Sequence, residues 1–146
     1  MLVEKIMNRH VITVEPGTSL LEAMQVMADN HIGCVVVTKG KGKAKKPVGM
    51  LTERDVLVSI ASEQVRDVKK TKVETVMTHY LITIGPKRSL SKAVELMGEN
   101  KIKKLPVVDD KGRLAGIITA SDVISVQPSA TKHIKHLISF RILRRK

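Results

Sequence analysis

Gly49-Met50-Leu51-Thr52-Glu53-Arg54-Asp55 and Gly116-Ile117-Ile118-Thr119-Ala120-Ser121-Asp122 share one pattern, G-h-h-T-x-x-D, where h is apolar. An apolar pair running into a Thr, with an Asp three residues on, marks a strand that ends at a helix N-cap. The pattern occurs twice, and the sequence around it repeats as well. Val3/Val73, Glu4/Glu74, Met7/Met77, Thr13/Thr83, Pro16/Pro86, Ser19/Ser89, Ala23/Ala93 and Met27/Met97 match at an offset of 70 residues. After a longer loop in the first copy the offset shortens to 67, and Gly49/Gly116, Thr52/Thr119, Asp55/Asp122 and Val56/Val123 align. The chain is a duplication.

Each copy has the same coarse plan. A short apolar turn (3–7; 73–77) precedes a β-rich run, Val11 to Val14 or Leu81 to Ile84, which ends at a Pro-containing turn. The spacing then predicts a helix over 19–30 and 89–100. Leu20, Ala23, Met24 and Met27, and Leu90, Ala93, Val94 and Met97, fall at i, i+3, i+4, i+7 and make one buried stripe per helix. The methionines read as core filler, since Met suits irregular gaps. A buried strand follows (Cys34 to Val37; Leu105 to Val108), then a second (Val48 to Thr52; Leu114 to Thr119) that runs into the motif helix. Asp109-Asp110-Lys111-Gly112 is a tight-turn signal. Its counterpart, Lys39 to Pro47, is longer, basic and expected to be mobile. The expectation is a mixed α/β (α+β) fold, β-α-β-β-α twice, with repeat one at 1–65 and repeat two at 66–127. A basic helical tail at 128–146 has no counterpart between the repeats. Neither copy alone buries its sheet face, so the two are expected to pack together.

The 146 residues carry 26 Lys and Arg against 14 Asp and Glu, a net charge of +12, which favours anionic partners. Much of the excess lies at Lys39 to Lys46 and Arg141 to Lys146. Aromatic content is 1%, which removes the stacking platforms that single-strand binders use. The hydrophobic fraction of 42% fits a soluble globular chain, no apolar run approaches the roughly 20 residues of a membrane span, and the opening residues lack a secretory pattern. Cys34 is the sole cysteine, so an internal disulfide and a Cys-based metal site are excluded. The expected location is the cytoplasm.

A helix N-terminus offers N–H groups and a positive dipole end to a phosphate, and Thr52 or Thr119 would add a hydroxyl there. A carboxylate beside a phosphate would be repelled. Asp55 and Asp122 are better suited to a vicinal diol such as a ribose, each charge-assisted hydrogen bond contributing about 1.5–3 kcal/mol. The same T-x-x-D spacing also fits a capping box that serves only the helix, as Ser19-x-x-Glu22 and Thr71-x-x-Glu74 illustrate. The two roles can coexist.

The duplicated plan, both G-h-h-T-x-x-D motifs and the phrase Lys104-Leu105-Pro106-Val107-Val108-Asp109 resemble a pair of CBS domains, a Bateman module, from about Leu2 to Ser125. The resemblance implies two repeats packed through their sheets in pseudo-twofold symmetry, with clefts for AMP, ADP, ATP or S-adenosylmethionine as regulatory ligand. It implies that Asp55 and Asp122 hold ribose and that Thr52 and Thr119 lie on the phosphate side. Thr13 and Thr83 would line the base and phosphate pockets, with His31, Cys34, Val35 and Val36 in one copy and Lys103, Lys104, Leu105 and Pro106 in the other. Arg54 faces its counterpart Ser121 in the alignment, so the two clefts need not bind equally. The module is expected to be free-standing, non-enzymatic and homodimeric, and to signal by shape change to a regulated protein. Binding of nucleic acid through the basic surface, or dimerisation without a ligand, are the alternatives.

Other residues carry less. His133 and His136 sit at i, i+3 without an acid or Cys beside them and read as surface histidines. Cys34 in an apolar strand reads as a buried hydrophobe. The sequence holds neither a phosphate-binding glycine loop nor G-x-G-x-x-G. The tail, with Ile134, Leu137, Ile138 and Ile142 on one side, is expected to pack on the module or on a second subunit and not on a membrane.

Overall fold

The computed structural model describes residues 1–134, which form two compact units: Val11–Leu81, and Met1–His10 together with the chain from Ile82 onward. Both are mixed α/β and follow one plan.

In the Val11–Leu81 unit, β1 (Thr13–Val14) pairs parallel with β2 (Cys34–Lys39), and β2 pairs antiparallel with β3 (Lys46–Thr52). Helices α1 (Leu20–Asp29) and α2 (Glu53–Ala61) cover one side of this sheet. Ser19 caps α1 by accepting from the Glu22 N–H at 3.1 Å, and Leu20, Ala23 and Met27 form its buried stripe. Val35, Val37 and Leu51 alternate down the sheet to meet that stripe, the period of 2 that a half-covered sheet requires. A short helix, α3 (Val73–Val76), follows a turn in which the Thr71 hydroxyl donates to the Asp67 carbonyl at 2.8 Å. Thr71 is therefore not the cap its spacing suggested: Lys72 occupies that position and makes no side-chain bond there.

The second unit repeats this with α4 (Leu90–Asn100), the hairpin of β4 (Lys104–Val108) and β5 (Leu114–Thr119), and α5 (Ala120–Val126). Asp109 builds the hairpin turn: its carboxylate accepts from the Lys111 and Arg113 N–H groups, each at 2.9 Å, and Gly112 supplies the positive φ of 77°. The Lys39–Pro47 connection is ordered differently. β2 and β3 extend to pair Lys39 with Lys46, and a 3-10 turn at Gly42–Ala44 closes them. The strands expected at Val11 to Val14 and Leu81 to Ile84 shrink to two residues and to a single parallel bridge, Ile84 with Val107.

Each unit draws its opening segment from the other repeat. Val73 and Met77 lie in the core of the Val11–Leu81 unit, and Thr78 bridges Met50 through bonds of 3.0 and 2.9 Å. Val3 and Met7 lie in the core of the second unit, and Asn8 bridges Ile117 through bonds of 2.8 and 2.9 Å. Glu4 adds a 2.9 Å ion pair to Lys87. This explains the motif glycines. A Cβ on Gly49 would fall on Met77 Sδ, and one on Gly116 would come within 2.8 Å of Met7 Sδ and 2.9 Å of the Asn8 carbonyl oxygen. The glycines leave room for the methionine of the arriving segment.

Past α5, Pro128–Ala130 make a 3-10 turn and residues 131–134 are helical. Ala130 and Ile134 are buried in the second unit's core, so this part of the tail packs its apolar side on the module. The remainder of the expected tail helix, with His136, Leu137, Ile138 and Arg141 to Lys146, lies outside the described residues.

Candidate functional site

The two strand-to-helix junctions have the same geometry. Thr52 Oγ1 accepts from the Asp55 N–H at 3.0 Å while Asp55 Oδ2 accepts from the Thr52 N–H at 3.0 Å. Thr119 and Asp122 make the same reciprocal pair at 3.1 and 3.0 Å. Both T-x-x-D motifs are thus complete capping boxes. The following N–H is also engaged: Glu53 donates to the Gly33 carbonyl at 3.0 Å, and Ala120 to the Lys103 carbonyl at 2.7 Å. Of the four N–H groups at each helix start, three are therefore used inside the protein, and the fourth belongs to Arg54 or Ser121. The expectation that these helix ends present a row of unpaired donors to a phosphate is corrected. The junction instead offers a carboxylate fixed in place by its own cap, with Oδ1 standing outside the reciprocal pair.

Sheet register decides which predicted residues join it. Thr13 lies opposite Val36, Val36 opposite Met50, and Cys34 opposite Thr52. These side chains share the sheet face turned away from α1 and α2. In the second unit Lys104 lies opposite Thr119 and Pro106 opposite Ile117, and Thr83 precedes the bridge at Ile84 and so falls beside Pro106. Cys34, Val36 and Pro106 are buried on this face. Val35 and Leu105 are turned the other way, into the helix-covered cores. Their expected place as pocket lining is corrected by the alternation of the strand. His31 is also elsewhere: exposed, left-handed at φ 53°, it follows α1 and lines the groove between α1 and α2. Lys103 is exposed just before β4, and Ser121 is exposed on α5.

Arg54 and Asp55 line a concavity of about 340 Å³ together with Ser59, Gln64, Val58 and Val76. One cation was missed by sequence reasoning. Lys45 Nζ donates to Thr13 Oγ1 at 3.2 Å, which brings the basic hairpin to the predicted site strand. The sequence marks the lysine-rich loop but not which lysine reaches the strand, because its counterpart in the second copy, Asp109 to Gly112, is a shorter turn. Among the described residues no group of three His, Cys, Asp or Glu side chains is placed to hold a metal ion, and no helix is long and apolar enough to cross a membrane.

The sequence pattern of the CBS domain matches this chain twice, at residues 3–62 and 73–129. The chain belongs to the CBS-domain family. An uncharacterised protein of Methanopyrus kandleri is 33% identical over 126 residues, 86% of this chain and 62% of that protein. The inosine-5′-monophosphate dehydrogenase of Korarchaeum cryptofilum is 36% identical over 131 residues, 88% of this chain but 25% of the enzyme. The chain thus spans less than two thirds of either sequence relative. Among solved structures, the CBS domain pair of protein MJ0100, in complex with 5′-methylthioadenosine and S-adenosyl-L-methionine, matches with a TM-score of 0.75 at 26% identity. That match covers 88% of this chain and 97% of the other. The CBS pair is therefore the fold of both units, and the two capped Thr–Asp junctions are its repeated feature.

Proposed function

We propose that this CBS-domain pair is a non-catalytic sensor that binds an adenosine compound (AMP, ADP, ATP or S-adenosylmethionine) and relays binding to a regulated protein. The observation that carries the reading is the repeated junction, in which a capping box locks an aspartate while leaving Oδ1 outside the cap. A carboxylate held in this way accepts from a ribose diol without first losing side-chain entropy. Lys45 in the first unit and Lys104 in the second supply cations near the same face for a phosphate, and Arg54 shares a concavity with Asp55. The relative that holds two adenosine compounds supports the ligand class. Relay to a partner requires the ligand to bind two conformations with different affinity.

Thermal melting tests this. A ligand present at about 100 times its Kd stabilises by about 2.7 kcal/mol, a shift of several degrees for a chain of this size. One adenosine compound should give such a shift at both low and moderate salt, and Asp55→Asn or Asp122→Asn should reduce it. Asn can still accept the cap bond, so loss of the shift reports the carboxylate's charge. A module that only dimerises shows no shift with any adenosine compound. A nucleic-acid reading is favoured by the five lysines at Lys39, Lys41, Lys43, Lys45 and Lys46 on one hairpin. It is distinguished by an RNA-induced shift that disappears as salt rises.

A further inference from the structure

The two units differ most where the antiparallel strands turn. Residues 39–47 carry Lys39, Lys41, Lys43, Lys45 and Lys46 and no acid, a net of +5. At the matching turn Asp109 and Asp110 balance Lys111 and Arg113. The register of β2 and β3 sets Lys39 directly opposite Lys46, and like charges so placed destabilise a strand pair. The hairpin is closely built all the same. Gly40 takes a φ of 106°, and a Cβ there would meet the Ala44 carbonyl oxygen at 2.9 Å and Lys45 Cα at 3.3 Å. That close return brings Lys45 back onto the sheet, where Nζ donates to Thr13 Oγ1 at 3.2 Å.

Thr13 stands opposite Val36, and Val36 opposite Met50, so the ammonium lies on the sheet face that also carries Cys34 and Thr52. Lys45 is half-buried there and makes no ion pair among the described residues. An ammonium has three donors and the Thr13 hydroxyl takes one, which leaves two. The second unit is built otherwise. Its outward cation, Lys104, stands at the junction itself, opposite Thr119, while its turn keeps Arg113 on Asp109 through a 2.7 Å ion pair. We propose that Lys45 is a specificity-determining residue that selects among adenosine compounds by charge. It takes a phosphorylated adenosine (AMP, ADP or ATP) and rejects S-adenosylmethionine, whose sulfonium meets a like charge. The inference rests on the adenosine reading and narrows it to the anionic members. It also sets this chain apart from the relative that holds 5′-methylthioadenosine and S-adenosyl-L-methionine, neither of which carries a phosphate. The two remaining donors make charge-assisted bonds to a phosphate, and the other four lysines add a positive field that draws anions to the hairpin.

The test is calorimetric titration of the full chain with adenosine, AMP, ATP and S-adenosylmethionine, in the wild type and in Lys45→Met, Lys45→Glu and Lys43→Met. The wild type should bind ATP more tightly than adenosine, and S-adenosylmethionine most weakly. Lys45→Met should weaken ATP by about tenfold or more, the loss of a charge-assisted bond, and leave adenosine unchanged. Lys45→Glu should weaken ATP further and bind S-adenosylmethionine more tightly than the wild type does, a gain that misfolding cannot produce. Lys43→Met removes the same charge from the same hairpin and should leave the ratio of ATP to adenosine affinity intact. If none of the four compounds binds the wild type, the adenosine reading falls and this inference falls with it. If they bind but Lys45→Met leaves ATP unchanged, weakens ATP and adenosine alike, or is matched by Lys43→Met, the adenosine reading stands and Lys45 is not the selector. A wild type that binds S-adenosylmethionine most tightly overturns the proposal as well.

Discussion

Substitution of the two motif glycines by alanine should separate two kinds of crowding that look alike in sequence. At Gly49 the three atoms nearest the new Cβ all belong to Met77, with Cγ and Cε both at 3.0 Å, and a methionine can turn away. Overpacking of this kind costs about 1–3 kcal/mol, and the stiffer alanine backbone returns about 0.4–1 kcal/mol, leaving a loss of about 1 kcal/mol. At Gly116 the Cβ meets Met7 and also the Asn8 carbonyl oxygen at 2.9 Å. That oxygen cannot retreat without breaking the Asn8–Ile117 pair, whose two bonds measure 2.8 and 2.9 Å. Losing both adds about 1 kcal/mol each, so Gly116→Ala should cost about 3 kcal/mol.

Truncating the methionine sharpens the contrast. In a Met77→Ala background, Gly49→Ala should become neutral or stabilising by up to about 1 kcal/mol, because the three atoms nearest the new Cβ are gone. In a Met7→Ala background, Gly116→Ala should still cost about 2 kcal/mol, because the backbone oxygen remains. Urea unfolding of the two double-mutant cycles reads both coupling energies directly. If Met7→Ala rescues Gly116→Ala as fully as Met77→Ala rescues Gly49→Ala, the backbone contact is not limiting and the reasoning fails.

Three further outcomes follow from local geometry. Thr52→Ala and Thr119→Ala should each lower stability by about 1 kcal/mol through loss of the cap, measured by denaturant unfolding without ligand. Lys101 ends α4 at φ 55°, a left-handed position that costs a side chain about 1–2 kcal/mol, so Lys101→Gly should stabilise by about 0.5–1 kcal/mol net, read as a raised melting temperature. The backbone N–H of Arg113, then its guanidinium and the Lys111 N–H, hold the Asp109 carboxyl below its ordinary 3.8. A depressed folded-state pKa contributes stability above the unfolded value and loses it as pH falls through the folded one. The stability advantage of the wild type over Asp109→Ala should therefore be constant above about pH 5 and shrink below pH 4 in an acid titration.

The features legible in the sequence are those set by short-range periodicity. The stripe from Leu20 to Met27 and its copy from Leu90 to Met97, the Asp109–Gly112 turn and both capping boxes depend on residues within a few positions of one another. The β runs at 11–14 and 81–84 are longer in the sequence than in the fold because strand propensity reports a fit to a pleated surface, and here only Thr13–Val14 and Ile84 pair, with the Ile12 carbonyl adding one bond from the Val36 N–H at 3.4 Å. Val35 and Leu105 stand one position of register away from the residues on the opposite sheet face, and that one position turns their side chains into the helix-covered cores. The exchange of opening segments was out of reach for a deeper reason. In a duplicated chain Val3 and Met7 are equivalent to Val73 and Met77, so either copy satisfies either sheet and pattern alone cannot assign them. The same degeneracy explains why the motif glycine recurs. Each sheet must admit a methionine from a segment of the other repeat, and that steric need is met before any ligand is considered. The glycine is thus evidence for the exchanged architecture, whereas the aspartate, whose cap engages one carboxylate oxygen, is the part of the motif through which a ligand would act.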